Sequence, residues 1–153
     1  MTHPDEARPA PSPPRLRAAY GHWMQERVRW SDTDLIGHAN NVAVSAYFET
    51  GRSHFMRSVV AIDAEPRALL VLAQLTINFL GEMHWPDVID IGTGCLSIGR
   101  SSCRTGQALF VGERCVGTAE SVVVMIDEVT RKPVPLPSWL RQWLDQNRIA
   151  ALG

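Results

Sequence analysis

Four strand-patterned runs follow one another between residues 69 and 126, and only one helical segment long enough to cover them comes before. That imbalance restricts the architecture more than any other feature of the chain. In the first run Leu69, Val71, Ala73, Leu75, Ile77 and Phe79 alternate with Leu70, Leu72, Gln74, Thr76, Asn78 and Leu80, a period of two whose first face is wholly apolar. Runs at 88–100, 102–111 and 114–126 follow across short glycine or polar turns, so antiparallel pairing of sequence neighbours is the simplest topology. The helical segment spans residues 42–60, with Val44, Phe48, Phe55 and Val59 on one face and Ser45, Glu49, Arg52, Ser53 and Arg57 mostly on the other positions. Gly51 interrupts it at a cost of about 1 kcal/mol relative to alanine, which points to a close backbone approach. A short strand at residues 23–30 precedes the helix, and Pro135-Leu136-Pro137 leads into an amphipathic terminal helix at 138–148 carrying Trp139, Leu140, Trp143 and Leu144. A single long helix must then lie across the concave face of the sheet as the principal core element, an α+β arrangement.

With 153 residues, 45% apolar and 20% charged, the chain has the profile of one globular domain. Fifteen basic against sixteen acidic residues leave a formal charge of −1, which gives no global electrostatic case for nucleic acid or an anionic membrane surface. The most apolar stretches, 68–75 and 122–126, fall far short of the roughly 18 residues that suggest a membrane span. No apolar stretch near residue 1 resembles a signal peptide, so the expected location is the cytoplasm. Three cysteines without a CxxC motif favour neither a disulfide framework nor a structural zinc site. Cys95, Cys103 and Cys115 lie in strand-patterned runs, where packing rather than nucleophilic catalysis is expected. Residues 1–21, with Pro4, Pro9, Pro11, Pro13 and Pro14, offer too little apolar surface to offset the entropy of ordering; they read as an unstructured extension before a domain at 22–153.

The densest cluster of ionisable and turn-forming groups is Asp32-Thr33-Asp34, Gly37-His38 and Asn40-Asn41. It occupies a loop that delivers a helix N-terminus, a favourable place to stabilise developing negative charge. Asn40 or Asn41 is suited to cap that helix. Asp32 is expected to bond loop amides, and Gly37 to supply a turn conformation or room for a ligand. His38 either orients a substrate, shares a proton with Asp34 or bonds the backbone. Glu49 and Arg52, three apart on the helix, suit an ion pair, with Glu49 a weaker alternative base. Asp32, Asp34 and His38 together also suit a divalent cation.

The segment VRWSDTDLIGHANNVAVSAYFETGR resembles the opening motif of hotdog-fold acyl-CoA thioesterases of the 4-hydroxybenzoyl-CoA thioesterase type. IGRSSC is similar to that family's turn between middle strands, and VVVMIDEVTRKPVPLP to its last strand and exit, so the likeness covers about residues 23–145. It implies an antiparallel sheet wrapped around one long helix, and hydrolysis of an acyl-CoA to a carboxylic acid and free CoA. Carried over residue by residue, it makes Asp34 the carboxylate that attacks the thioester or activates water, and the Asn41 backbone amide an oxyanion donor. It implies that Arg100, Ser101 and Ser102, with Arg131-Lys132 as a second basic group, hold the nucleotide end of CoA, Arg104 being a substitute for Arg100. Gly37 and His38 complete the expected substrate contacts. No metal or cofactor is implied beyond the CoA of the substrate, and a homodimer or homotetramer with the site at a subunit interface is. Val44 stands where similar sequences commonly carry tyrosine, which implies a reshaped acyl pocket. An acyl-carrier-protein thioesterase, a dehydratase or a non-catalytic acyl-CoA-binding module are the alternatives, although the D-x-N-P-x-H spacing of hotdog dehydratases is absent.

Overall fold

A computed structural model of the chain describes residues 12–57 and 68–150. The elements run β1 (His22–Arg27), α1 (Asn41–Arg57), β2 (Ala68–Phe79), β3 (Val88–Ile98), β4 (Ser102–Val111), β5 (Arg114–Asp127) and α2 (Ser138–Gln146). The strands form one antiparallel sheet in the order β1-β3-β4-β5-β2. Neighbours in sequence pair from β3 through β5, as expected, but β2 does not pair with β3. It lies on the far side of β5, with Phe79 opposite Gly117 and Ala68 opposite Asp127. The connection at residues 80–87 is too long for a tight hairpin and is itself taken up by the loop that precedes α1.

α1 crosses the sheet because its buried positions repeat at helical spacing: Ala43, Val44, Tyr47, Phe48, Gly51, Arg52, Phe55 and Met56. Val44 and Phe48 pack with Val28, Met83, Ile89, Ile91 and Leu109, whereas Phe55 and Met56 join Cys95, Cys103, Val123 and the α2 residues Leu140 and Leu144. This is the hotdog arrangement. Val59, placed on the same stripe by its spacing, lies outside the described residues. Gly51 makes the close approach expected of it, since a Cβ there would stand 2.5 Å from Ile91 Cγ2 and 2.8 Å from Gln107 Nε2. Gln107 in turn donates to the Phe48 carbonyl at 3.0 Å, pinning the helix to β4.

Two expectations change at this level. The period-two run of β2 is broken by a bulge between Leu72 and Gln74. One extra residue reverses which side chains face inward: Ala68 and Leu70 pack inward before it, Leu75 and Ile77 after it, while Leu69, Leu72 and Phe79 stay exposed. The apolar face read from the sequence is therefore divided between two sides of an edge strand. Within residues 12–21, placed by composition in the unstructured extension, Arg17–Ala19 form a 3-10 turn and Ala19 and Tyr20 are buried against the sheet; residues 1–11 are outside the described set. Tyr20 packs with Trp23, Ala108 and Phe110, over a floor so close that a Cβ on Gly92 would stand 2.7 Å from the Tyr20 ring. Arg17 stacks 4.7 Å from the Trp23 ring and pairs with Asp90 at 2.9 Å. A few large amphipathic side chains on a glycine floor supply what average composition did not reveal. Ile149 covers the neighbouring Gly94 and Gly106, and Ala150 donates to the Ala19 carbonyl at 2.9 Å, so the two ends of the described chain meet on that face.

Candidate active site

β1 stops at Arg27, short of the expected Trp30, because the chain turns inward there. Val28 is fully buried and donates to the Asp87 carbonyl at 2.9 Å, and Trp30–Asp32 form a 3-10 turn. Asp32 closes that turn by accepting the Arg29 amide at Oδ2 (2.9 Å), and the same oxygen accepts the Tyr47 hydroxyl at 2.6 Å. Asp32 thus has the structural role expected of it. Tyr47, which the sequence did not single out, braces it from α1. Burial and the Asp32 carboxylate hold the Tyr47 phenol well above its ordinary pKa.

Residues 33–39 then form a small hairpin. Thr33 bridges Ala39, Asp34 N–H donates to the His38 carbonyl at 2.9 Å, and Asn40 N–H donates to the Asp32 carbonyl at 2.8 Å. Gly37 closes the tip with φ +82° and donates to the Asp34 carbonyl at 3.0 Å, a left-handed position that glycine adopts without strain. Asp34 Oδ1 accepts the Ile36 and His38 amides at 3.0 and 3.3 Å; Oδ2 has no hydrogen-bond partner among the described residues. One carboxylate oxygen is thus spent on holding the loop and the other faces outward from an exposed residue. The hairpin docks on the β2–β3 connection through Ala39 N–H to the Met83 carbonyl at 2.7 Å and a bridge between His38 and His84.

The returning strand of the hairpin runs straight into α1. Asn40, not Asn41, is the cap: its Oδ1 accepts the Ala43 amide at 2.9 Å and its carbonyl the Val44 amide at 3.0 Å. The amides of Asn41 and Val42 open the helix and find no acceptor among the described residues. Two unpaired donors thus stand at the positive end of a 17-residue helix.

The remaining candidates divide. The His38 ring is engaged elsewhere than at the Asp34 carboxylate, with Nε2 3.3 Å from Glu82 Oε2 and an edge-to-face contact with the His84 ring at 5.0 Å between centroids. Asp32, Asp34 and His38 therefore do not converge as a cation site. The set that does is His38, Glu82 and His84, whose ligand atoms all lie within 4.8 Å of one another. Glu82 and His84 went unnoticed in the sequence, although their spacing of two on an extended segment was a signal. Glu49 is exposed, but Arg52 points into the core, 7% exposed, and donates to Ser121 Oγ at 3.2 Å, so the two form no ion pair. Val44 is buried in the chain's own core. All three cysteines are free; burial raises each thiol pKa, to about 12 for Cys103, which suits packing and not nucleophilic attack.

Arg100 and Ser101 lie in the β3–β4 turn, Ser102 opens β4, and Lys132 lies in the turn after β5. Both turns sit at one end of the sheet, joined by residues 133–136: Met125 N–H donates to the Ser101 carbonyl at 2.8 Å and Leu136 N–H to the Arg100 carbonyl at 2.9 Å. Arg100, Arg131 and Lys132 are exposed. Arg104 does not substitute for Arg100, because Glu120 holds its guanidinium through Nε at 2.8 Å and through Nη2. The Asp34 hairpin, by contrast, adjoins the start of β3, where Val28 meets Asp87. Eleven residues of strand separate the two groups, about 33 Å at roughly 3.3 Å per residue. Within one chain the expected acid–base group and the expected phosphate-binding cations do not meet.

This arrangement can be set beside known proteins. The family model of the thioesterase-like superfamily matches residues 28–144. The chain belongs to that superfamily. Among its relatives, the acyl-CoA thioester hydrolase YbgC of Escherichia coli O157:H7 is 28% identical over 116 residues, 72% of this chain and 86% of that one. The crystal structure of the PA5185 protein from Pseudomonas aeruginosa PAO1 superposes with a TM-score of 0.81 at 27% identity, covering 93% of this chain and 100% of that chain. A thioesterase from Thermus thermophilus, crystallised with coenzyme A and Zn, shares the fold with a TM-score of 0.74 at 23% identity, over 82% of this chain and 98% of that one. Among the described residues no helix is long and apolar enough to cross a membrane.

Proposed function

We propose that this member of the superfamily hydrolyses an acyl-CoA thioester to a carboxylic acid and free CoA, with Asp34 as nucleophile or general base and the Asn41 amide as oxyanion donor. The observation that carries the reading is the coupling of Asp34 to the first turn of α1 through one three-residue hairpin tip. The carboxylate presents a free oxygen, and the strand it pairs with feeds the unpaired amides. In the nucleophilic route the carboxylate adds to the thioester carbon, the CoA thiol leaves with a proton, and water cleaves the resulting anhydride. In the general-base route Asp34 takes a proton from water as that water attacks. Either route develops negative charge on the carbonyl oxygen, where a helix N-terminal amide contributes on the order of 3 kcal/mol. Neither requires a metal. The relative named as an acyl-CoA thioester hydrolase supports the choice of CoA.

Assembly belongs to the same proposal. β2 is an edge strand with Leu69, Leu72 and Phe79 exposed, a surface that favours pairing with a second copy. Antiparallel pairing of β2 with itself sets the Ala68 end of one chain beside the Phe79 end of the other. That brings the partner's Arg100 and Lys132 turns toward the Asp34 hairpin, so a homodimer completes the site and a homotetramer is built from such dimers. Gly37, His38, Arg100, Ser101, Ser102 and Lys132 are the proposed substrate contacts, and the proposed location is the cytoplasm.

The test is thiol release from aromatic, short-chain and long-chain acyl-CoAs, comparing the parent with Asp34→Asn. Turnover of at least one class, reduced about a hundredfold or more in a folded variant, is the expected result. Undiminished turnover in the variant removes Asp34 from the mechanism. Acyl-carrier-protein thioesters hydrolysed in preference to every acyl-CoA reassign the carrier, and tight binding of all thioesters without turnover makes the chain a binding module.

A further inference from the structure

The hairpin that carries Asp34 is joined to the β2–β3 connection by more than its backbone. His38 Nε2 stands 3.3 Å from Glu82 Oε2, and His84 Nε2 stands 3.5 Å from that same oxygen. Ligand atoms at 2.0–2.2 Å from a tetrahedral zinc ion are separated by roughly 3.3–3.6 Å; the two separations to Glu82 match this, and all three ligand atoms lie within 4.8 Å of one another.

The contact made by the other nitrogen of the His84 ring is a second, independent observation. His84 Nδ1 lies 3.2 Å from the Gly37 carbonyl, an acceptor only, so Nδ1 carries the proton and donates. Nε2, the other ring nitrogen, faces the Glu82 carboxylate at 3.5 Å, so a cation placed between them takes one lone pair from each. A ring nitrogen held by a backbone carbonyl while the other faces a metal is how ligating histidines are generally oriented. The backbone holds the two histidines side by side: His38 and His84 bridge each other, and the His84 amide donates to Asp87 Oδ2 at 2.8 Å.

We infer that His38, Glu82 and His84 form a site for a divalent cation of the zinc class, which clamps the Asp34 hairpin to the β2–β3 connection. Two imidazoles and one carboxylate suit zinc better than magnesium or calcium, which take oxygen ligands. The three ligands leave a fourth position for water, and Glu82 and His84 stand in reach of solvent. Because the His38 amide donates to Asp34 Oδ1, a cation on the His38 ring also fixes the residue that positions that carboxylate. His38 is in this respect a positioning residue; that role rests on the thioesterase reading, whereas binding of the ion does not.

Titration of Zn(II) into the chelator-treated, desalted full chain, followed by calorimetry, tests the site without any turnover. One ion per chain is expected, bound tenfold or more weakly by Glu82→Gln and by His84→Ala. Glu82→Gln alters an exposed side chain and keeps the fold, so loss of binding there is not loss of structure. His22→Ala is the control: its ring nitrogen lies 2.9 Å from that of His54, the other imidazole pair among the described residues, and zinc binding should be unchanged. Amide exchange over residues 34–39 should slow on adding Zn(II) to the parent and not to Glu82→Gln. Absence of saturable binding in the parent, or parent-like binding in both Glu82→Gln and His84→Ala, overturns the proposal; loss of binding in His22→Ala instead reassigns the ion to the other pair.

Discussion

Asp34 and Asp127 hold turns at opposite ends of the sheet by the same device. Asp34 Oδ1 accepts the Ile36 and His38 amides, and Asp127 Oδ1 accepts the Val129 and Thr130 amides at 3.0 and 2.6 Å. Each turn closes on a left-handed residue, Gly37 at φ +82° and Arg131 at φ 60°. Local chemistry therefore does not single out Asp34. What differs is the destination of the chain: the first turn feeds the open amides of α1, and the second feeds residues 133–136, alongside the exposed Arg131 and Lys132. In the proposed site one end supplies the carboxylate and the oxyanion donors and the other the cations for phosphate, and one chain keeps the two about 33 Å apart at the rise of a β-strand.

The strongest test of that division is complementation between chains. Asp34→Asn removes the carboxylate end, and Arg100→Ala with Lys132→Ala removes the cation end. If each site draws on two chains, a mixed dimer holds one intact site, with Asp34 from one copy and the cations from the other. Random re-pairing then restores about a quarter of the parent kcat/KM at low substrate, because half of the two-fold dimers carry one complete site. If both ends serve the same chain's site, the mixture shows only the mean of the two separate variants.

Much of this division was legible in the sequence. The number, order and near-correct bounds of β2 through β5 follow from period-two patterning, and the α1 stripe from its spacing, because both record local side-chain burial. Gly51 was readable as a close approach for the same reason. The Asp34 cluster stood out because turn-forming residues cannot be dispersed and still make a hairpin. What local pattern does not encode is which strands pair across a long connection, so the placement of β2 beside β5 was missed. A single bulge at Leu72/Gln74 divided a face that alternation had made continuous. Arg52 reads as a surface charge until its burial beside Ser121 is seen. Tyr47, Glu82 and His84 matter only through partners 15, 44 and 46 residues away, at Asp32 and His38, a separation invisible to a window of neighbours.

Tyr47 gives the next effect in size. Its hydroxyl is the one tie from the α1 side chains to the Asp32 turn among the described hydrogen bonds, and the acceptor is a carboxylate. Tyr47→Phe should destabilise the chain by about 1.5–3 kcal/mol, the usual contribution of a hydrogen bond to a charged group. A lowered denaturant midpoint with an unchanged slope is the expected measurement. Amide exchange should also quicken at residues 29–34 and leave the Asp127 turn unaltered. Equal quickening at both ends would show that the brace supports the whole core and not the hairpin end alone.

The smallest effect separates the two aspartates by pH. Hydrogen bonds from the Thr130 amide and side chain hold the Asp127 carboxyl below the ordinary carboxylate range, with slight desolvation opposing and the Val129 amide a lesser contributor. A carboxyl depressed in the folded chain favours the folded turn above its unfolded pKa, and that contribution is lost as pH falls through the folded one. The Val129 and Thr130 amides should therefore keep their exchange protection down through the usual carboxylate titration near pH 4 and lose it only at lower pH. Asp127→Asn, which cannot titrate, should flatten that profile. Proton-resolved exchange at the two amides measures this directly, and protection lost at the ordinary carboxylate pKa would mean that the amides do not favour the charged form. Because the turn carries Arg131 and Lys132, its loosening in acid should weaken the cation end before the strand pairing of β5 is disturbed. The proposed site would then lose CoA affinity, read as a rise in KM, at a pH where the sheet is still intact.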